Sequence, residues 1–198
     1  MSNPTFQKPR LPNDEPERLD ELRRYSILDT LPEAAFDDLT FLASFICQTP
    51  ISLVSLIDAD RQWFKSRVGL PQTPETSRDI SFCAYAILES ELFIVPDTLR
   101  DDRFTTNPMV AGEPYIRFYA GVPLIVAKGF ALGTLCVLDR VPRQLTVDQK
   151  RALLALGRQA LIHLERRRLI AELAEVAGSV NDVGEKICSL VAAAGKWS

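Results

Sequence analysis

Cys83 stands two residues before Tyr85 in the short apolar run SFCAYAILES (81–90), directly after the charged pair Arg78 and Asp79. A thiol so placed admits three chemistries: a nucleophile, a cofactor anchor, or part of a pocket wall. As a nucleophile it needs a neighbour that lowers its pKa, and Arg78 is the nearest cation in sequence. It also needs a second thiol to attack the oxidised first. The remaining cysteines, Cys47, Cys136 and Cys188, are scattered without a C-x-x-C pair, which argues against a zinc site or a disulfide framework. Cys136 lies in an apolar run and reads as core. His163 is the only histidine and sits among leucines, so it reads as a packed helix residue; a triad or haem would depend on it alone. A phosphate ligand would call on Arg78, Arg103 and Arg117, which have no glycine-rich cradle beside them.

The chain must be able to bury such a site. Its 198 residues suffice for one domain with a real core, and 46% apolar with 25% charged residues is a globular composition. The net charge of −3 argues against a nucleic-acid surface, and Arg166-Arg167-Arg168 reads as a solvated helix face. No apolar run reaches a membrane span of roughly 18 residues, and Met1–Pro16 lacks the apolar core of a secretion signal. A cytoplasmic protein, with neither nucleic acid nor membrane as partner, is expected.

Residues 1–14 read as a flexible arm. Helical spacing follows over 16–29, with Asp14 as N-cap, and again from Glu33 to Cys47, where Phe36, Leu39, Leu42, Ala43 and Ile46 form a stripe. ISLVSLID (51–58) and RQWFKSRV (61–68) make a hairpin, with Trp63 and Lys65 on one face and Phe64 and Ser66 on the other. GLPQTPETS is a loop. FCAYAIL is a short helix capped by Ser81, and LFIVPD is a brief strand. The long segment 98–115 carries its own anchors, Phe104 and Met109, and so reads as an ordered loop. IRFYAGVPLIV and ALGTLCVLD are strands apolar on both faces, hence covered on both, with a bend at Pro123. Thr146 and Gln149 have capping-box spacing at the start of a helix of some 30 residues. Beyond it Leu169, Leu173, Val176, Val180, Val183, Ile187 and Leu190 alternate steps of four and three, a heptad seam. The tail is either an inter-chain coiled coil or a helix folding back at Gly178-Ser179.

This order of elements resembles a GAF domain. The blocks PERLDELRRYSILDTLPEAAFDDLT, SLIDADRQWFKSRVGL, RDISFCAYAI, VPDTLRDDRFTTNPMV and IRFYAGVPLI…LGTLCVLDRVPRQLT are similar to those of a bacterial GAF subgroup found with histidine kinases and diguanylate cyclases. The resemblance implies an α+β fold with a central antiparallel sheet of about six strands and terminal helices on one face. A pocket lies on the other, and a long C-terminal exit helix leaves the domain. The organisation expected is an arm (1–14), a GAF domain (15–160) and a signalling or coiled-coil helix (161–198).

The resemblance also sorts the chemistries. The Asn-Lys…Phe…Asp-Glu motif of cyclic-nucleotide-binding members is absent, and VAGEPY lacks the cysteine–histidine pair of bilin-binding ones. Subgroup members often carry histidine where this chain has Tyr85. The expected function is a sensory or regulatory domain without catalysis or cofactor, binding an unidentified small molecule and signalling through its exit helix in a homodimer, with an output protein as possible partner. The implied pocket lining is Trp63, Asp79, Phe82, Cys83, Tyr85, Asp97, Arg117 and Tyr119. Two alternatives stand beside it: a docking module with a filled pocket, and a thiol-based free-methionine sulfoxide reductase.

Overall fold

A computed structural model describes the backbone of residues 6–70 and 74–194, with side chains up to residue 177 except 175. Six antiparallel strands form one sheet in the order β3-β2-β1-β6-β5-β4. They are β1 (Ile51–Ile57), β2 (Arg61–Val68), β3 (Glu75–Ser77), β4 (Phe93–Val95), β5 (Phe118–Ile125) and β6 (Ala131–Asp139). The edge strand β3, paired with β2 from Arg61 to Trp63, lies in a segment that reads from sequence as loop. Its three residues are too few to show a period.

β1 and β6 are buried along their whole length, as is β5 up to Leu124. One face carries the core of α1 (Glu15–Arg24), α2 (Ala34–Cys47) and α5 (Val147–Ala194). The other is covered by α3 (Phe82–Ala86), α4 (Pro108–Ala111) and the connecting segments. α1 and α2 end earlier than or within a residue of their expected limits, and Asp14 makes no side-chain cap.

The strict alternation expected of β2 fails at one residue. Val54 pairs with Ser66 but Ser55 with Phe64, so Lys65 is the extra residue of a β-bulge. Lys65 and Ser66 consequently both face the helices. Lys65 Nζ donates to Leu31 O at 2.6 Å, and Ser66 Oγ donates to Asp37 at 2.6 Å. A second irregularity falls between Pro123 and Ile125, where the missing proline N–H breaks the ladder.

α5 begins in the expected capping box: Gln149 N donates to Thr146 Oγ1 at 3.2 Å and Thr146 N to Gln149 Oε1 at 3.0 Å. It runs 48 residues, about 72 Å at 1.5 Å per residue, and its backbone stays helical through 178–179 instead of folding back. Leu153, Ala160 and Leu164 pack on the sheet. Gly157 allows the closest approach, since a Cβ there would lie 2.7 Å from Val122 Cγ1. Past Leu164 the apolar positions turn outward: Leu169, Ile170, Leu173 and Val176 are all at least half exposed. The heptad side chains Val180, Val183, Ile187 and Leu190 lie outside the described residues.

Candidate functional site

The short helix α3 organises the face opposite α1, α2 and α5. Ser81 Oγ accepts from Ala84 N at 3.1 Å, capping it as expected. All five residues of α3 are buried. Phe82 stacks on Phe104 at 4.5 Å and on Tyr119 at 5.4 Å, and Tyr85 meets Phe104 edge-on at 4.9 Å. Phe93 packs beside both Phe104 and Tyr119. Arg103 lies over the Phe93 and Phe104 rings at 5.0 and 5.2 Å while paired with Asp101. These rings fill the interior. What remains is a cavity of about 30 Å³ between Cys83, Gln62, Phe64 and Met109.

Tyr85 closes the block from outside. Its hydroxyl donates to Gln7 O at 2.5 Å, and Lys8 pairs with Asp79 at 2.5 Å, so residues 7 and 8 lie across α3. The long segment 98–115 is tied down as its anchors suggest. Phe104 is fully buried. Thr98 Oγ1 donates to Ile116 O at 2.8 Å, and buried Asn107 donates to Ile80 O at 2.9 Å while accepting from Met109 N at 2.8 Å.

Beneath the rings lies a polar floor. Gln62 Nε2 donates to Cys83 Sγ at 3.2 Å, and Gln62 Oε1 accepts from Ser81 Oγ. Tyr119 Oη donates to Cys83 Sγ at 3.4 Å. Cys136 Sγ lies 3.6 Å from Cys83 Sγ, and Ser55 and Thr134 bridge their hydroxyls at 3.2 Å on the neighbouring strands. Burial opposes ionisation of Cys83, but hydrogen bonds from Cys136, Ser55, Thr134 and Tyr119 outweigh it and hold the thiol below its ordinary value. Burial and the adjacent Cys83 charge push Cys136 and Tyr119 up.

Four of the eight predicted pocket residues, Phe82, Cys83, Tyr85 and Tyr119, therefore converge. Four do not. Trp63 pairs with Leu56 and belongs to the core on the helix side; the alternation that aims Phe64 into this face aims Trp63 out of it. Asp79 is half-exposed against Lys8. Asp97 caps a 3₁₀ turn by accepting from Leu99 N at 3.1 Å. Arg117 donates to Val110 O and Ile116 O, holding the loop. Arg78 does not serve Cys83 either. It pairs with Glu15 at 2.5 Å and donates to Asp58 O, in a buried clasp with Arg18.

Cys136 is the partner thiol that chain order hides. It sits 53 residues beyond Cys83, and only the β1–β6–β5 register places it under α3. Gln62 was equally hidden. Asn107 has a signal, since Asn followed by Pro is an N-cap and N1 pair. His163 meets Phe36 edge-on at 5.9 Å, as a packed helix residue should. Among the described residues no three side chains are grouped to hold a metal, and no helix is long and apolar enough to cross a membrane.

The fold and closed pocket can be set beside known proteins. A cyclic di-GMP phosphodiesterase of Pseudomonas aeruginosa is 46% identical over 135 residues, 68% of this chain but only 23% of that protein. The GAF domain of an Acinetobacter phosphoenolpyruvate-protein phosphotransferase matches with a TM-score of 0.57 at 16% identity, covering 79% of this chain and 98% of that one. The blue-light-absorbing form of the Thermosynechococcus elongatus PixJ GAF domain matches with a TM-score of 0.57 at 18% identity, covering 83% and 96%. The two structures share the fold. The family model described as the GAF domain matches residues 31–164, and this chain belongs to that family.

Proposed function

We propose that this chain is a regulatory GAF module that acts through its helical face, as a homodimer, and performs no catalysis of its own. The observation that carries the reading is the contrast between the two faces of the sheet. The interior beneath α3 is filled, with about 30 Å³ left where sites for ordinary small molecules take roughly 300 Å³ or more, and the cleft of about 240 Å³ beside Tyr85, Arg103 and Lys8 lies outside that ring block. The helical side leaves Phe41, Phe45, Ile162, Leu169, Ile170 and Leu173 exposed. α2 and α5 run antiparallel, with Arg167 against Glu33 at one end and Gln149 donating to Ile46 O at the other. Phe41 and Phe45 stack at 6.2 Å on α2, while Leu169, Ile170 and Leu173 lie on α5 past the Arg167–Glu33 pair; exposed apolar surface on both helices marks candidate association sites.

A small molecule enters this reading only through an open state in which Tyr85 or Phe104 swings aside. The ligand would then have to bind that state better than the closed one. The relative at 46% identity is named a cyclic di-GMP phosphodiesterase, which supports placing this chain among the regulatory modules of such signalling proteins. The output would lie outside the GAF region.

Sedimentation equilibrium on wild type, Phe45→Glu, Ile162→Glu and a chain ending at residue 177 tests the reading. A wild-type dimer is expected, weakened by each charge while circular dichroism shows the fold of the single chain intact, because both side chains are exposed there. Removing residues 178–198 should weaken it too. A monomeric wild type at tens of micromolar would sink the proposal, and an undiminished dimer after truncation would confine the interface to α2 and the base of α5.

A further inference from the structure

We infer that Cys83 and Cys136 are a redox couple, closing to a reversible disulfide when a hydroperoxide as small as hydrogen peroxide reaches Cys83. The geometry carries it. The sulfurs are 3.6 Å apart, and reaching the bonding distance of about 2.0 Å is a shift smaller than the radius of a sulfur atom. Gln62 Nε2 and Tyr119 Oη both aim donors at Cys83 Sγ, an arrangement that stabilises a thiolate and is superfluous for an inert buried thiol. The direction in which the two thiols are shifted agrees: Cys83 is the one more easily ionised and Cys136 the one kept protonated.

Both thiols are buried, so access decides which oxidant can act. The cavity of about 30 Å³ abuts Cys83 and is bounded by Leu70 and Pro114, which are only half-buried and separate it from the surface. A space of that size holds about two water-sized groups. Hydrogen peroxide fits it, and a branched alkyl hydroperoxide does not.

The steps balance. The Cys83 thiolate attacks one peroxide oxygen, the O–O bond breaks, and Cys83 becomes a sulfenic acid as hydroxide leaves and is protonated to water. Cys136 Sγ then attacks the Cys83 sulfur. The S–O bond breaks, and the hydroxyl departs with the Cys136 proton as a second water. Two thiols lose two electrons and two protons, and the peroxide is reduced to two waters. A dithiol reductant reverses the bond by exchange. The disulfide would tie α3 on the pocket side to β6 in the sheet centre, which deepens the regulatory reading by giving it an input; its detection does not depend on dimerisation.

The test is peptide mapping by mass spectrometry of the reduced full chain after hydrogen peroxide treatment. The expected product is a Cys83–Cys136 cross-linked peptide lighter by two hydrogen atoms, lost on dithiothreitol treatment. Cys47 is the internal control: it is buried without a partner thiol, burial pushes it up to about 11, and it should stay reduced. In Cys136→Ser the reaction should stop at a sulfenic acid on Cys83, trapped by dimedone. tert-Butyl hydroperoxide should give far less cross-link. Cys83 remaining a thiol, passing only to sulfinic or sulfonic acid, or pairing with Cys47 or Cys188 would overturn the inference. Equal yields from the two peroxides would overturn the cavity as the route. The wild-type map stands whether or not the serine variant folds, and circular dichroism checks that variant.

Discussion

Phe104→Ala is the most direct probe of the filled pocket. Phe104 is fully buried and packs on Phe82, Tyr85 and Phe93, with the Arg103 guanidinium over its ring. Burying an aromatic ring removes roughly 150–250 Å² from water and each ring pair adds perhaps 0.5–1.5 kcal/mol, so the loss should fall at about 3–5 kcal/mol once the residual cavity is included. For a chain of this size that is a drop in Tm of about 6–20 °C. Urea unfolding under reducing conditions reads it as a lower midpoint at unchanged slope. The vacated space is of ring size and apolar, so added benzene should restore part of the lost stability in the variant by mass action and none in wild type. A loss below about 1 kcal/mol, within the range of an ordinary surface change, would refute the tight packing. Equal stabilisation of wild type by benzene would show the pocket already open.

Three further perturbations bear on how the helices are pinned to the sheet. Burial alone would raise the Glu15 carboxyl, but the hydrogen bonds and charges of Arg18 and Arg78 outweigh it and hold it below the usual carboxylate range. A pKa depressed on folding contributes stability above the unfolded value of about 4.3 that is lost as pH falls through the folded one. Urea midpoints from pH 7 down to 3 should therefore decline, and in Glu15→Gln they should start lower at pH 7 and decline less steeply; an identical acid slope would count against the clasp. Tyr25 joins α1 to α5 by donating to Glu165 at 2.6 Å, and Tyr25→Phe should cost about 1–2 kcal/mol in chemical denaturation, with no change meaning that water replaces the bond freely. Gly133 of β6 pairs with Leu56 of the neighbouring β1, and a Cβ there would sit 1.9 Å from Ser55 O. Gly133→Ala should destabilise by at least about 1–3 kcal/mol in the same assay, and a neutral result would mean that the strands can separate at little cost.

The parts of this fold legible in order along the chain are those governed by local periodicity. The stripe at Phe36, Leu39 and Ala43, the two-faced burial of β5 and β6, the Ser81 cap, the Thr146–Gln149 capping box and the bend at Pro123 each depend on residues a few positions apart, whereas Leu42, expected in that stripe, is exposed and Ile46 only half-buried. β3 and the bulge at Lys65 were not legible in this way. The first has three residues, and the second is set by pairing with β1, which alternation within β2 cannot report. Of the candidate site, α3 and its aromatic and thiol side chains were readable as a buried or contacting group, but Trp63, Asp79, Asp97 and Arg117 were grouped with them by chain blocks and not by position in space.

By itself the sequence determined the longer helices and strands, the caps at Ser81 and Thr146, the two-sided cover of the sheet and the GAF pattern, because helical and strand periods and turn chemistry are short-range. Only the tertiary structure decided that Tyr85 closes the pocket over Phe104, that Arg78 serves Glu15 and not Cys83, and that Cys136 lies 3.6 Å from Cys83. Those three facts are products of strand order and register, through which residues dozens of positions apart come within contact. No local pattern encodes such a meeting, since the energy that selects it comes from burying both faces of the whole sheet at once.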